Sequence, residues 1–74
     1  MVQCEFFDQV EGETIVELDL PLELLNALLS IKRVDLFNEV NTFLGTYAVL
    51  DMVVFLKRPF YRVLVYAEKA GNES

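Results

Sequence analysis

The stretch TYAVLDMVVFLK, residues 46–57, decides the fold of this chain. Its spacing would continue a helical stripe through Tyr47, Leu50 and Val54. Its β-branched and aromatic content favours a strand instead. We expect the strand, because Gly45 offers a break just before it and both faces of the strand would then be apolar, as in a central strand.

The C-terminal part of the chain predicts the neighbour of that strand. Residues 60–67, FYRVLVYA, are rich in β-branched and aromatic side chains and are predicted to form a strand. Arg58 and Pro59 supply the turn between the two strands. The polar residues 68–74 are expected to form a flexible tail.

The N-terminal part predicts a second hairpin. Apolar and polar side chains alternate over residues 2–7 and again over residues 13–20, which is the period of a half-buried strand. Gly12 lies in the turn candidate between them, where glycine adopts a positive φ at little cost. These two segments are therefore expected to pair.

Two helices are predicted between the hairpins. Pro21 suits the first position of a helix, and residues 22–31 carry a broad leucine-rich face. Asp35 is a suitable N-cap for a second helix, whose apolar residues recur as far as Tyr47. The predicted fold is a small α+β single domain over residues 1–74, ββααββ, with two β-hairpins packed against a helical pair. The runner-up is ββααβ with a long second helix.

The chain is richer in apolar residues than a domain of its size needs. A chain this short buries only about 60% of its unfolded surface. Yet 54% of its 74 residues are hydrophobic, above the usual range of about 45–50%. Because one small core cannot hide them all, we expect a homodimer. The residues expected to mediate self-association are Leu25, Leu28, Leu29, Phe37, Tyr47 and Phe55.

Charge is distributed unevenly along the chain. The net charge is −6, and all six basic residues lie after residue 31. An acidic half repels phosphate, which disfavours nucleic acid as a partner and favours a protein with a basic surface. The acidic strand face expected to bind such a partner consists of Glu13, Glu17 and Asp19.

One short segment supports a different function. Lys57, Arg58 and Arg62 are interleaved with aromatic side chains on either side of the predicted proline turn. Basic residues beside stackable rings bind anions or single-stranded nucleic acid in other proteins. The alternative function is therefore a nucleic-acid-binding transcriptional regulator that uses this basic-aromatic hairpin.

Residues 13–50 resemble a ribbon-helix-helix domain. That family has a strand, then Leu-Pro-x-Glu-Leu opening a helix, then a capped second helix; here residues 20–24 read LPLEL and Asp35 stands at the second cap. The resemblance implies an intertwined dimer that inserts paired strands into the major groove of DNA. The positions that would face the DNA are Glu13, Ile15, Glu17 and Asp19. Three of these four are acidic, so we take the resemblance as an indication of topology.

Residues suited to catalysis are scarce. The chain contains no histidine, the commonest general base. Its one cysteine, Cys4, lies on an apolar strand face, where a thiol behaves as a small hydrophobic group. We therefore expect no enzyme activity, no cofactor and no metal.

The expected setting is the cytoplasm. A single unpaired cysteine is typical of a reducing compartment. The N-terminus lacks the pattern of a signal peptide, and the longest apolar stretch is shorter than the roughly 20 residues that cross a bilayer. We expect a small acidic regulatory or adaptor protein that acts through protein–protein contact.

Overall fold

The computed structural model describes residues 2–57 and 61–70, and in these residues one helix packs against one face of a five-stranded mixed sheet. Most of the described chain is β-structure. The elements follow one another as β1 (Val2–Asp8), β2 (Glu13–Leu20), α1 (Leu22–Ile31), β3 (Arg33–Phe37), β4 (Phe43–Leu56) and β5 (Tyr61–Lys69).

The strands lie in the order β2-β1-β5-β4-β3. The first and last strands, β1 and β5, run parallel to each other at the centre, and every other neighbouring pair is antiparallel. The N-terminal hairpin predicted by the alternation is present, since β1 and β2 pair from Val2 opposite Leu20 to Asp8 opposite Glu13.

The predicted ββααββ order with a helical pair is wrong, and so is the ββααβ runner-up. The helix predicted over residues 22–31 forms, but it ends at Lys32, whose N–H still donates to the Leu28 carbonyl at 2.9 Å and whose positive φ of 68° turns the chain out of the helix. The chain then enters β3 directly, and Asp35 lies within that strand instead of capping a second helix. The resemblance to ribbon-helix-helix proteins therefore does not extend to the fold.

Asn38 accounts for the turn that replaces the second helix. Its Oδ1 accepts hydrogen bonds from the N–H groups of Val40 at 3.0 Å and Thr42 at 2.9 Å. Asn41 adopts a left-handed conformation with φ of 63°. Because the asparagine side chain takes backbone donors that a helix would use, the segment closes as a turn. The apolar residues on either side are divided between two antiparallel strands.

β4 is a strand, as predicted for residues 46–57, but it is not central along its whole length. It pairs with β5 from Tyr47 to its end, whereas β3 covers its other side only as far as Ala48. A β-bulge at Leu50 adds one residue to β4, since Val49 lies opposite Ala67 and Asp51 opposite Tyr66. After the bulge the even-numbered residues of β4 face the helix.

The core lies between α1 and the sheet. It contains Cys4, Phe6, Leu25, Leu28, Leu36, Tyr47, Val49, Val63, Val65 and Ala67. Burial of each large apolar side chain stabilises the fold by about 1.5–3 kcal/mol. α1 has ten residues, and within the described ranges no helix is both long and apolar enough to cross a membrane.

The end of β5 reaches into the segment predicted to be a polar tail. Glu68 and Lys69 belong to the strand, and the Ala70 N–H donates to the Thr46 carbonyl at 2.9 Å. Residues 71–74 lie outside the described residues, as does the predicted turn at positions 58 and 59.

Candidate interaction surfaces

Residues 50–56, the second half of β4, form an uncovered strand edge that we name the β4 edge. Residues 51–56 pair with β5 on one side, Leu50 is the bulge residue, and β3 ends before it reaches any of them. Asp51 is their one charged side chain, and its Oδ1 accepts the Met52 N–H at 2.8 Å. The Met52 N–H is thus bonded within its own strand and not to β5. Because backbone groups of successive strand residues point to opposite sides, the N–H and C=O groups of Met52, Val54 and Leu56 point away from β5. These groups can pair with another strand.

Apolar side chains accompany this free backbone. Leu50, Val54, Phe55 and Leu56 are all exposed, Leu56 to 78% of its surface. Proteins usually protect sheet edges with short strands, charged side chains or proline. The β4 edge has one acid in seven residues, so it has the composition of a strand that becomes covered.

An apolar groove lies beside the β4 edge, on the face of the sheet that carries α1. Its volume is about 270 Å³. Its lining includes Leu22 and Leu25 on α1, Val54 and Leu56 on β4, and Tyr61 and Val63 on β5. It exists because α1 is too short to cover the ends of β4 and β5.

The opposite face of the sheet carries apolar side chains without a covering layer among the described residues. We name Phe7, Val53, Phe55, Leu64 and Tyr66 the outer apolar face. Register places Phe7 beside Tyr66 and Leu64 beside Val53, and the Phe7 and Tyr66 rings meet edge to face at 6.0 Å. Phe55 is exposed and the other four side chains are half-buried. The predicted self-association residue Phe55 is thus part of this face and of the β4 edge.

The other residues predicted for self-association do not form one surface. Leu25, Leu28 and Tyr47 are in the core, which explains their apolar character without a partner. Leu29 is exposed on α1, and Phe37 is exposed at the far end of β3, where its ring packs against Phe43 at 5.3 Å.

The predicted acidic face is divided by a bulge in β2. Phe6 lies opposite Val16 and Phe7 opposite Thr14, so Ile15 is an extra residue. Glu17 and Asp19 are exposed and share a side of the sheet with the outer apolar face. Glu13 lies opposite the buried Asp8 instead and lines a separate pocket that contains Tyr47.

The predicted basic patch is also divided. Arg62 donates to Glu5 Oε1 at 3.0 Å, an ion pair across the two central strands. Lys57 is exposed directly after β4, and Arg58 lies outside the described residues. One of the three cations is therefore engaged by an acid of the same chain.

Burial favours the neutral forms of two core side chains, Cys4 and Tyr47. Burial, and secondarily the charge of Asp19, raises the pKa of the Cys4 thiol to about 11, so the thiolate needed for reactivity is scarce at neutral pH. Burial also raises the pKa of Tyr47, with smaller contributions from Asp8, Glu13 and Glu11. The described residues contain no cluster of three or more potential metal ligands. No known family model, curated protein or solved structure matches this chain.

Sequence reasoning missed the β4 edge. The run of apolar residues at positions 50–56 predicts a strand with two apolar faces, as in a central strand. A signal was available in the segment before it, because Asn38 and Asn41 favour a turn and leave room only for a short strand. A short strand beside a long one leaves part of the long one uncovered.

Proposed function

We propose that this protein is a small, acidic, non-catalytic interaction module of the cytoplasm that works as a homodimer, as an adaptor or regulatory protein. In this dimer the β4 edges of two copies pair with each other. The observation that carries the proposal is the seven-residue uncovered edge of β4, in which Asp51 is the one charged residue. An edge of this kind is a template for another strand.

An antiparallel arrangement centred on Val53 suits this edge. It places Met52 opposite Val54 of the second copy and Leu50 opposite Leu56 of the second copy. Apolar side chains then face apolar side chains at these pairs and at Val53, which is the cross-strand pairing that stabilises sheets. Asp51 lies opposite Phe55 of the second copy. A two-fold axis at Val53 generates a closed dimer with a continuous ten-stranded sheet.

The charges at the two ends of the β4 edge are complementary in this arrangement. Asp51 and Lys57 would both lie on the outer side of the sheet, and each is exposed. Pairing centred on Val53 places Phe55 of the second copy opposite Asp51, and Lys57 follows it two residues later, at the end of the seam. The place opposite Val49 is held by Lys32, whose carbonyl accepts the Val49 N–H at 2.8 Å, so Lys57 reaches Asp51 with its side chain from beside that point. The two Asp51 carboxylates are kept apart. Pairing also offers the Met52 N–H a carbonyl acceptor, which releases Asp51 to meet the lysine.

The expected dimer is of modest affinity. A standard stable interface buries about 1,200–2,000 Å² in total, more than seven paired residues provide by themselves. The apolar groove adds to the contact, because side chains of the second copy at positions 54 and 56 would lie on the same side of the sheet. We expect a dissociation constant on the order of micromolar.

Analytical ultracentrifugation over about 1–500 μM protein tests the proposal, a range that brackets this affinity. The wild-type chain should shift from monomer toward dimer as concentration rises. Leu56→Lys should raise the dissociation constant about tenfold or more, since it exchanges an apolar contact at the seam for a charge. Val10→Lys is the matched control, because Val10 is 70% exposed in the β1–β2 turn and Leu56 is 78% exposed. A wild-type monomer at every concentration, or equal effects of the two lysines, would contradict the proposal.

The nucleic-acid alternative has weaker support. Arg62 is paired with Glu5, and the same side of the sheet carries the exposed acids Glu17 and Asp19. Phosphate contacts require cations that are free to leave their counterions. A gel shift that weakens steeply with salt and is lost in Arg62→Gln would favour this alternative over the interaction module.

A further inference from the structure

The side of the sheet opposite α1 combines an apolar diagonal with an acidic border. From this combination we infer that the outer apolar face docks an amphipathic helix of a partner protein, with basic residues on the flank of the helix that lies over β2. This site shares Val53 and Phe55 with the β4 edge, but it uses the side of the sheet that strand pairing leaves open, and it does not require dimerisation.

The outer apolar face runs diagonally across three strands. It starts at Phe7 on β1, crosses β5 through Tyr66 and Leu64, and ends at Val53 and Phe55 on β4. Strands lie about 4.8 Å apart and alternate residues of one strand about 6.7 Å apart, so the diagonal is about 16 Å long. A helix rises about 1.5 Å per residue, so about three turns cover it.

A helix is the layer that suits this side of the sheet. A sheet in a folded domain buries a face against helices or against a second sheet. On the opposite side α1 provides such a layer with Leu25 and Leu28. A partner helix would complete a three-layer arrangement on the side that the described residues leave open, where an apolar stripe of i, i+3, i+4 and i+7 positions could follow the diagonal.

Charge favours a basic partner over a second copy of this chain. The exposed acids on this side of the sheet are Glu17, Asp19, Asp35, Asp51 and Glu68. The bases on this side are Arg33 and Lys57 at the borders and Arg62, which is paired with Glu5. Two copies stacked through this face would bring an excess of acid against an excess of acid. A cationic helix meets complementary charge, most of all at Glu17 and Asp19 on β2, which Glu5 and Gln3 of β1 separate from Leu64 and Arg62 of β5.

A designed 14-residue helical peptide serves as the probe, with leucines on one stripe and lysines along one flank. Isothermal titration should show binding to the wild-type protein with a dissociation constant on the order of micromolar that weakens as salt is raised. A peptide with the same lysines but serines on the stripe should not bind. A peptide with the same stripe but glutamates on the flank should bind at least about tenfold more weakly.

Variants locate the binding site. Glu17→Lys combined with Asp19→Lys should weaken binding about tenfold or more, because both residues are exposed on β2, the strand over which the basic flank of the helix lies. Glu23→Lys is the control, since Glu23 is exposed on α1, on the other side of the sheet. Leu64→Gln should also weaken binding while the circular dichroism spectrum keeps its β-sheet form.

The outcomes that overturn the inference are specific. Absence of binding at high micromolar peptide does so, as does equally tight binding of the glutamate peptide. The double variant changes the net charge by +4 and Glu23→Lys by +2, so a loss of binding free energy in Glu23→Lys about half as large as that in the double variant would mean that the attraction is to net charge alone. Leu56→Lys should still bind the peptide. A wild-type chain that stays monomeric at every concentration and yet binds the peptide would overturn the proposed dimer and not this inference.

Discussion

The Arg62 guanidinium donates to Glu5 Oε1 at 3.0 Å, and this ion pair links the two parallel strands at the centre of the sheet. Glu5 also lies directly opposite Glu17 on β2. Like charges in opposite positions destabilise a strand pair, and Arg62 offsets that repulsion from the other side. Arg62 was predicted from the sequence to bind an anion or nucleic acid, and this ion pair shows that it contacts an acid of its own chain instead.

Arg62→Gln should therefore lower stability by a small amount. The side chain of Arg62 is 42% exposed and that of Glu5 is 21% exposed, so solvent screens the pair and the expected loss is about 0.5–1 kcal/mol. Urea denaturation measures it, with Lys57→Gln as the control. A loss above about 3 kcal/mol would instead indicate a pair whose charge is deeply buried.

Alanine substitutions at a buried and at an exposed leucine of α1 should lower the stability by different amounts. Leu25 is 4% exposed and Leu22 is 61% exposed on the same helix. Leu25→Ala removes core contacts and should cost about 2–5 kcal/mol. Leu22→Ala should cost less than about 1 kcal/mol, because most of that side chain is already in water. Equal losses in urea denaturation of the monomer would contradict this placement of α1.

Two glycines should respond differently to alanine. Gly12 has φ of 75°, and a Cβ there would meet no atom within 4 Å. Gly45 has φ of 142°, and a Cβ there would lie 3.2 Å from a ring carbon of Tyr47. We expect Gly12→Ala to cost about 1–2 kcal/mol from backbone strain alone. Gly45→Ala should cost clearly more, because crowding adds to the strain. Thermal denaturation ranks the two, and the reverse order would contradict the β3–β4 geometry.

Stability should fall in alkaline solution because of Cys4. Burial raises the pKa of its thiol from 9.0 to about 11 in the folded chain, so the unfolded chain loses this proton first as pH rises. The stability that follows from the neutral thiol is complete below pH 9 and is lost between about pH 9 and 11. Cys4→Ala should show a smaller loss over that interval, and the raised pKa of Tyr47 accounts for part of what remains. Urea titrations at successive pH values measure the free energy of unfolding of the wild-type and Cys4→Ala proteins. The same decrease of this free energy with pH in both proteins would contradict the assignment to Cys4.

Local patterns predicted most of the strands and the first helix. The alternation of residues 13–20 and the leucines of residues 22–31 correspond to β2 and α1 because each pattern matches the period of its element. The second helix was predicted from apolar spacing around Asp35, and that spacing also fits two short strand segments joined by a turn. The side-chain bonds of Asn38 decide between these structures, and periodicity carries no information about them.

The interaction surfaces were less predictable than the elements. Leu25, Leu28 and Tyr47 were expected at an interface, yet they fill the core. Their exposure depends on which strand lies beside which, and strand order is a long-range property. The division of Glu13 from Glu17 and Asp19 depends on one bulge residue, Ile15, which reverses the alternation.

Cross-linking at the two-fold axis tests the proposed dimer most directly. In a Cys4→Ser background, Val53→Cys would place two cysteines directly opposite each other across the seam, at the Cα separation of about 4.5–5.5 Å that a disulfide accepts. Val10→Cys in the same background is the control. The account predicts that mild oxidation converts Val53→Cys largely to a covalent dimer while Val10→Cys stays monomeric. Equal cross-linking of the two variants, or none in Val53→Cys at concentrations near 500 μM, well above the micromolar affinity expected, would contradict pairing through the β4 edge.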